Sequence, residues 1–147
     1  LKEENTMSTE EENKAIARRW VEGLNKHDLM IIDEFFTANC VFHVPVVGDV
    51  HGPEGLKQLY TTSLTAYPDL QYKIEDIIAE GDKIAARFTV RGTHKGDIMG
   101  IAPTGKQVTG TGIAIYRLVE GKFVEAWAIE DQLGVMQQLG IIPTQGQ

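Results

Sequence analysis

Between Glu11 and Asn25 the apolar residues Ala17, Trp20, Val21 and Leu24 fall at i, i+3, i+4 and i+7, the stripe of a helix that buries one face. Asn25-Lys26-His27-Asp28 breaks the stripe, and Asp28 is a good N-cap for a second, short helix carrying Leu29, Ile32, Phe35 and Phe36. Val41 to Val50 is rich in β-formers, but Pro45 and Gly48 interrupt it, which predicts a short strand, a bend and a second extended piece. Gly52-Pro53-Glu54 starts a third helix, with Pro at N1 and an acid in the first turn, and Pro68 ends it.

From Leu70 onward the period falls to two. Leu70–Ala79 places Leu70, Tyr72, Ile74 and Ile78 on one face. Lys83–His94 then alternates Ile84, Ala86, Phe88 and Val90 with Arg87, Thr89 and Arg91. Lys95–Lys106 reads as a long loop, Gln107–Val119 as a strand, Glu120-Gly121 as a hairpin turn, and Lys122–Ile129 as the last strand. Gln132–Leu139 is a short closing helix ended by Gly140. Helices followed by a meander of long strands predict the α+β class, with helices on one face of a curved antiparallel sheet. No repeat or linker divides the chain. The reading is a polar leader over 1–12, with Met7-Ser8-Thr9 as a natural start, and one domain over 13–147.

Composition narrows the function classes. The chain has 147 residues, the length of one ordinary domain, and carries 14 Lys and Arg against 21 Asp and Glu for a net charge of −7. That balance disfavours nucleic acid, which needs a basic footprint, and an anionic membrane surface. No apolar run is long enough to span a bilayer. One cysteine, Cys40, and no signal segment point to a cytoplasmic setting. Ser8 and Ser63 are the only serines and neither sits in a G-x-S-x-G elbow, which argues against a serine nucleophile.

Two motifs match in part. Gly100–Lys106 fits G-x(4)-G-K, but Gln107 stands where the P-loop needs Ser or Thr, and a strand follows instead of a helix. Gly110-Thr111-Gly112 lies mid-strand, so its glycines allow a tight bend or the close approach of a helix or ligand. His27, His43, His51 and His94 are scattered, with no H-E-x-x-H or C-x-x-C, so no metal is expected.

The candidate chemistry sits at strand ends. Phe123, Glu125, Trp127 and Ile129 share one face of the last strand, and Asp131 follows on the same parity at its exit. His94 ends a strand whose same-face residues are Phe88, Val90 and Gly92, and His43 lies on the first strand. Two imidazoles and a carboxylate around an apolar face suit general acid/base work. A lone Asp after a strand is more often a helix N-cap, and Asp131 precedes the closing helix, so pattern alone favours the cap, though the two roles are compatible. Tyr60, Tyr72 and Tyr116 could donate to an oxyanion, but the pattern does not place them.

Several runs together resemble one family. They are Val41–Pro45, His51–Gly55, Tyr67–Leu70, Gly81–Ala85, Arg91–Gly96, Gly100–Lys106, Glu125–Trp127, Asp131–Gly134 and Gln138–Gly140. In this order they are similar to the SnoaL-like polyketide cyclases, often labelled ester cyclases, of the nuclear transport factor 2-like superfamily. The resemblance implies a cone-shaped α+β barrel, a curved antiparallel sheet wrapped around N-terminal helices and enclosing an apolar pocket. It implies cofactor-independent, metal-free proton transfer, with intramolecular aldol closure of a polyketide methyl ester as the named example. Asp131 would be the general acid/base, with His94 and then His43 polarising an oxygen. Trp127, Trp20, Phe88, Tyr60 and His51 would contact a small apolar substrate, and the chain would form a homodimer through its sheet. The alternative is a binding module for an apolar metabolite, without chemistry.

Overall fold

A computed structural model of the chain describes residues 9–144. Of the leader read over 1–12, residues 1–8 lie outside the described residues, and Thr9–Glu12 belong instead to the first turn of a helix. Helix α1 (Thr9–Asn25) starts on three glutamates that favour its N-terminal dipole, and it buries Asn13, Ala17, Trp20 and Leu24. Asp28 accepts the Met30 N–H at 3.1 Å and opens a 3-10 turn (Leu29–Ile31) that runs into the single-turn α2 (Ile32–Phe35). The predicted second helix is therefore cut short: Phe36 already belongs to strand β1 (Phe36–Val44), which turns back as β2 (Gly48–His51). Helix α3 (Gly52–Ala66) has Pro53 in its first turn. Then come β3 (Gln71–Glu80), β4 (Lys83–Thr93), β5 (Gln107–Val119), β6 (Lys122–Glu130) and α4 (Gln132–Gln138).

The six strands make one curved, unclosed sheet in the order β2-β1-β6-β5-β4-β3. The fold is α+β, as the pattern predicts, with one correction to the antiparallel expectation: β1 and β6 pair in parallel. The turn at Glu120-Gly121 has φ of +49° and +78°, the two left-handed residues of a type I′ hairpin. Helix α1 lies across β3 and β4, α3 against β1 and β2, and α4 against β5. Where these layers meet, Trp20 sits 5.0 Å from the Phe36 ring and 5.8 Å from Tyr60, and Phe123 stands 4.7 Å from Tyr116. No described helix is long and apolar enough to cross a membrane.

Two bulges decide which side chains face the helices. Ile74 pairs with Phe88 but Asp76 pairs with Arg87, so Glu75 is an extra residue in β3. Beyond it Ile77 and Ala79 pack on the core, and Ile78, expected on the inner face, is 69% exposed. In the same way Leu118 pairs with Phe123 while Arg117 pairs with Glu125, leaving Val124 extra in β6. Phe123 is buried, and after the bulge Ala126, Ala128 and Glu130 point inward while Glu125, Trp127 and Ile129 point out.

Candidate active site

A cavity of about 320 Å³ lies between the inner sheet face and α1, α3 and α4. Trp20, Leu24, Phe42, Leu59, Phe88 and Val90 give it mostly apolar walls. Four tyrosines also reach it: Tyr60 from α3, Tyr67 just after α3, Tyr72 from β3 and Tyr116 from β5. The hairpin tip at Ile98, Met99 and Ile101 and the turn at Pro45, Val46 and Val47 stand at its rim. Tip residues Met99 and Gly100 have φ of +49° and +79°. The lookalike P-loop is this tip and its return to β5.

One carboxylate enters the cavity. Glu130, the last residue of β6, is directed inward by the phase that the Val124 bulge sets. Its carboxylate has no hydrogen-bond or ion-pair partner among the described residues. Loss of water therefore dominates its titration and raises its pKa above the ordinary glutamate value. Burial likewise raises the tyrosine pKa values, that of Tyr116 to about 12, although the Trp20 indole N–H directed at the Tyr116 hydroxyl works the other way. The Glu130 charge adds to the rise at Tyr60, Tyr67, Tyr72 and Tyr116. These hydroxyls are thus neutral donors near neutral pH, grouped around one carboxyl of raised pKa.

The predicted residues fall into two sets. Trp20, Phe88 and Tyr60 line the cavity. Trp127 does not: the Val124 bulge puts it on the outer face, stacked on His43 at 5.5 Å and 23°. His43 is outside as well, its Nδ1 2.7 Å from Asp49 Oδ1 and its Nε2 2.8 Å from Glu125 Oε2. The hydrogen bond to Glu125, then that to Asp49, raises the His43 pKa, and the same contact lowers that of Glu125. His51 is exposed at the start of α3.

His94 is fully buried but does not line the cavity. Its backbone exchanges hydrogen bonds with the far end of the loop, donating to the Lys106 carbonyl at 2.9 Å and accepting from the Gly105 N–H at 2.8 Å. Its Nδ1 accepts the Thr104 N–H at 3.2 Å, so His94 fastens the rim loop. Asp131 is exposed and caps α4, its Oδ1 accepting the Gly134 N–H at 2.9 Å. Its own N–H continues the β5–β6 ladder to the Thr111 carbonyl at 2.8 Å. β6 ends at Glu130, and Asp131, the N-cap of α4, holds its carboxylate on the Gly134 N–H, so of these two adjacent acids Glu130 lines the cavity and Asp131 does not.

Sequence reasoning missed Glu130, because its parity in β6 depends on the bulge. The one available signal was an acid directly before a helix cap, at the end of a strand whose inner residues are small. No cluster of three or more His, Cys, Asp or Glu among the described residues has the spacing to hold a metal ion.

Comparison with known proteins bears on the family and the fold. Residues 14–139 match the family profile described as SnoaL-like polyketide cyclase. The chain is 30% identical over 132 residues to the aklanonic acid methyl ester cyclase DauD of Streptomyces sp. (strain C5), covering 85% of this chain and 80% of that protein. Among solved structures it is similar to AclR of Streptomyces galilaeus, a candidate hydroxylase, at 32% identity and a TM-score of 0.83 over 92% of this chain and 85% of that one. IdmH of Streptomyces antibioticus, a candidate polyketide cyclase, matches at 30% identity and a TM-score of 0.79 over 87% of this chain and 98% of that one.

Proposed function

The chain belongs to the SnoaL-like polyketide cyclase family, and from that premise we propose that it is a small-molecule enzyme that moves a proton on an apolar, carbonyl-bearing substrate through Glu130. The observation that carries this reading is the unpartnered Glu130 carboxylate, set among four neutral tyrosines in a cavity with apolar walls. A carboxylate kept without a partner in such a place costs stability, and is expected where its basicity is used.

In the aldol-type case Glu130 takes a proton from the carbon beside a substrate carbonyl. The electron pair of that C–H bond becomes an enolate, whose oxygen accepts hydrogen bonds from tyrosine hydroxyls. The enolate carbon then attacks a second carbonyl of the same molecule, forming the C–C bond that closes a ring, and the new alkoxide takes the proton back from Glu130. Nothing is gained or lost, so the product is an isomer of the substrate, and the cycle uses no cofactor. The raised pKa suits both halves, since the same group must accept and return the proton near neutral pH.

The direct test uses aklanonic acid methyl ester, the substrate class named for the DauD relative, as probe, with chromatographic separation of the ring-closed isomer. Glu130→Gln should lower turnover by about 100-fold or more while leaving ligand binding in place. Unchanged turnover would overturn the role of Glu130. Saturable binding without turnover, in the parent and in Glu130→Gln alike, would instead favour the binding-module reading.

The outer face bears on assembly. Ile113 and Ile129 lie directly opposite each other on β5 and β6, both more than half exposed, beside Ile115 and Trp127. We propose that a second copy covers this row, giving a homodimer. Arg117 and Glu125, 3.4 Å apart, and Arg87 and Asp76, 2.7 Å apart, offer charges of both signs at its flanks for a two-fold contact. Native mass spectrometry should find a dimer that Ile113→Glu dissociates. A monomeric parent would remove the proposal.

A further inference from the structure

We propose that Gly112 is the positioning residue for Glu130: the missing side chain on β5 is the space that lets the Glu130 stem turn into the cavity with the Phe88 ring closed against it. The inference rests on the reading of Glu130 above and names what holds that group in place.

Gly112 pairs directly with Phe88 on one side and with Glu130 on the other, so the three form one cross-strand row on the inner face. A β-carbon at Gly112 would lie 2.6 Å from Phe88 Cζ, 2.7 Å from the Ile129 carbonyl oxygen and 3.0 Å from Glu130 Cγ. Three neighbours, one of them backbone, already occupy the place of a methyl group. The φ of Gly112 is not left-handed, so chain conformation does not demand glycine there; space does. Gly110, two residues earlier on the same face, is the contrast. A β-carbon there would meet the side-chain methyls Val90 Cγ1 at 3.1 Å and Val135 Cγ2 at 3.4 Å, with the Val90 carbonyl oxygen at an ordinary 4.0 Å, and no Glu130 atom is among these nearest neighbours.

The consequence is directional. Ordinary van der Waals separation is about 3.5 Å, so a methyl at Gly112 must displace Phe88, the Ile129–Glu130 backbone or both by roughly 0.5–1 Å. Displacement opens the wall that keeps water from the carboxylate, and it moves the carboxylate from its place in the cavity.

The test is Gly112→Ala in the full chain, with the Glu130 carboxyl followed by carbon NMR on glutamate-labelled protein across pH and assigned by its loss in Glu130→Gln. The expected result is a Glu130 titration midpoint that falls toward that of an ordinary glutamate, with turnover of aklanonic acid methyl ester reduced on the order of 100-fold. Gly110→Ala, which also narrows the cavity, should leave the midpoint where it is in the parent. A midpoint in Gly112→Ala equal to the parent's overturns the inference while leaving Glu130 as the base. Loss of the Glu130 role itself would appear separately, as full turnover in Glu130→Gln. Should Gly112→Ala not fold, Gly112→Ala/Phe88→Leu, which removes the nearest ring atom, is measured against Phe88→Leu alone, and equal midpoints in those two overturn the inference. If the double variant is also unfolded, Gly112 is a folding residue and the inference fails.

Discussion

Replacing Asp131 separates its two possible roles by magnitude. In the structure its carboxylate serves α4: Oδ1 accepts the Gly134 N–H at 2.9 Å, and the side chain lies outside the cavity. Asparagine can accept the same hydrogen bond, so Asp131→Asn should change stability by no more than a few tenths of a kcal/mol, whereas Asp131→Ala should cost about 1 kcal/mol. The loss is bounded because α4 has other anchors. The Gln138 amide both accepts the Thr109 N–H and donates to the Thr109 carbonyl at 2.8 Å, and Lys106 Nζ donates to the Leu139 carbonyl at 3.3 Å. For a domain of this size 1 kcal/mol corresponds to a fall in Tm of about 2–4 °C. Gly134→Ala should leave Tm near the parent's, because its methyl would push the exposed Asp131 carboxylate off its cap while alanine favours the helix by a similar amount, about 1 kcal/mol. Thermal unfolding by circular dichroism reads all three variants, and turnover is measured in parallel. The refuting result is specific: Asp131→Asn with parental Tm and a turnover loss of about 100-fold or more would make Asp131 the proton-transfer group and Glu130 its bystander.

Two further outcomes follow from the outer face and the core. His43 is raised above its ordinary value of 6.5 and Glu125 lowered below 4.5, so stability from His43 is fully present below 6.5 and lost as pH rises through its raised value, while that from Glu125 is present above 4.5 and lost as pH falls through its lowered value. His43→Gln should therefore lower Tm most between those two ordinary values and progressively less at higher pH; a Tm difference independent of pH would contradict the pairing. Trp20, 1% exposed and ringed by Phe35, Phe36, Tyr60 and Phe123, should cost about 3–5 kcal/mol as Trp20→Ala in denaturant unfolding. Trp127→Ala should cost clearly less in the monomer, and equal losses would place Trp127 in the core after all.

Much of this molecule was legible from short stretches of chain. The stripe Ala17, Trp20, Val21 and Leu24 made α1 visible, Asp28 marked the next cap, Pro53 and Pro68 bracketed α3, and Glu120-Gly121 marked a hairpin. Each signal is local, because capping, the φ of proline and turn geometry act within a few residues. The runs that carry the family resemblance are local in the same sense, and the cavity residues Trp20, Tyr60 and Phe88 came from stripes that no bulge interrupts.

The candidate site was different. Strand parity is set by counting from a pairing partner, and one extra residue reverses every side chain beyond it. Val124 is such a residue in β6, and nothing in Lys122–Glu130 announces it: the bulge exists because Leu118 takes Phe123 while Arg117 takes Glu125. That choice sent Trp127 outward to His43 and brought Glu130 inward to the tyrosines. The parallel pairing of β1 with β6 likewise joins segments some eighty residues apart, and it alone sets His43 beside Trp127. Local signals along the chain were enough for most of the elements and for the family resemblance. Only tertiary pairing decided which of two adjacent acids, Glu130 or Asp131, faces the cavity, because a strand's orientation belongs to the sheet and not to the strand.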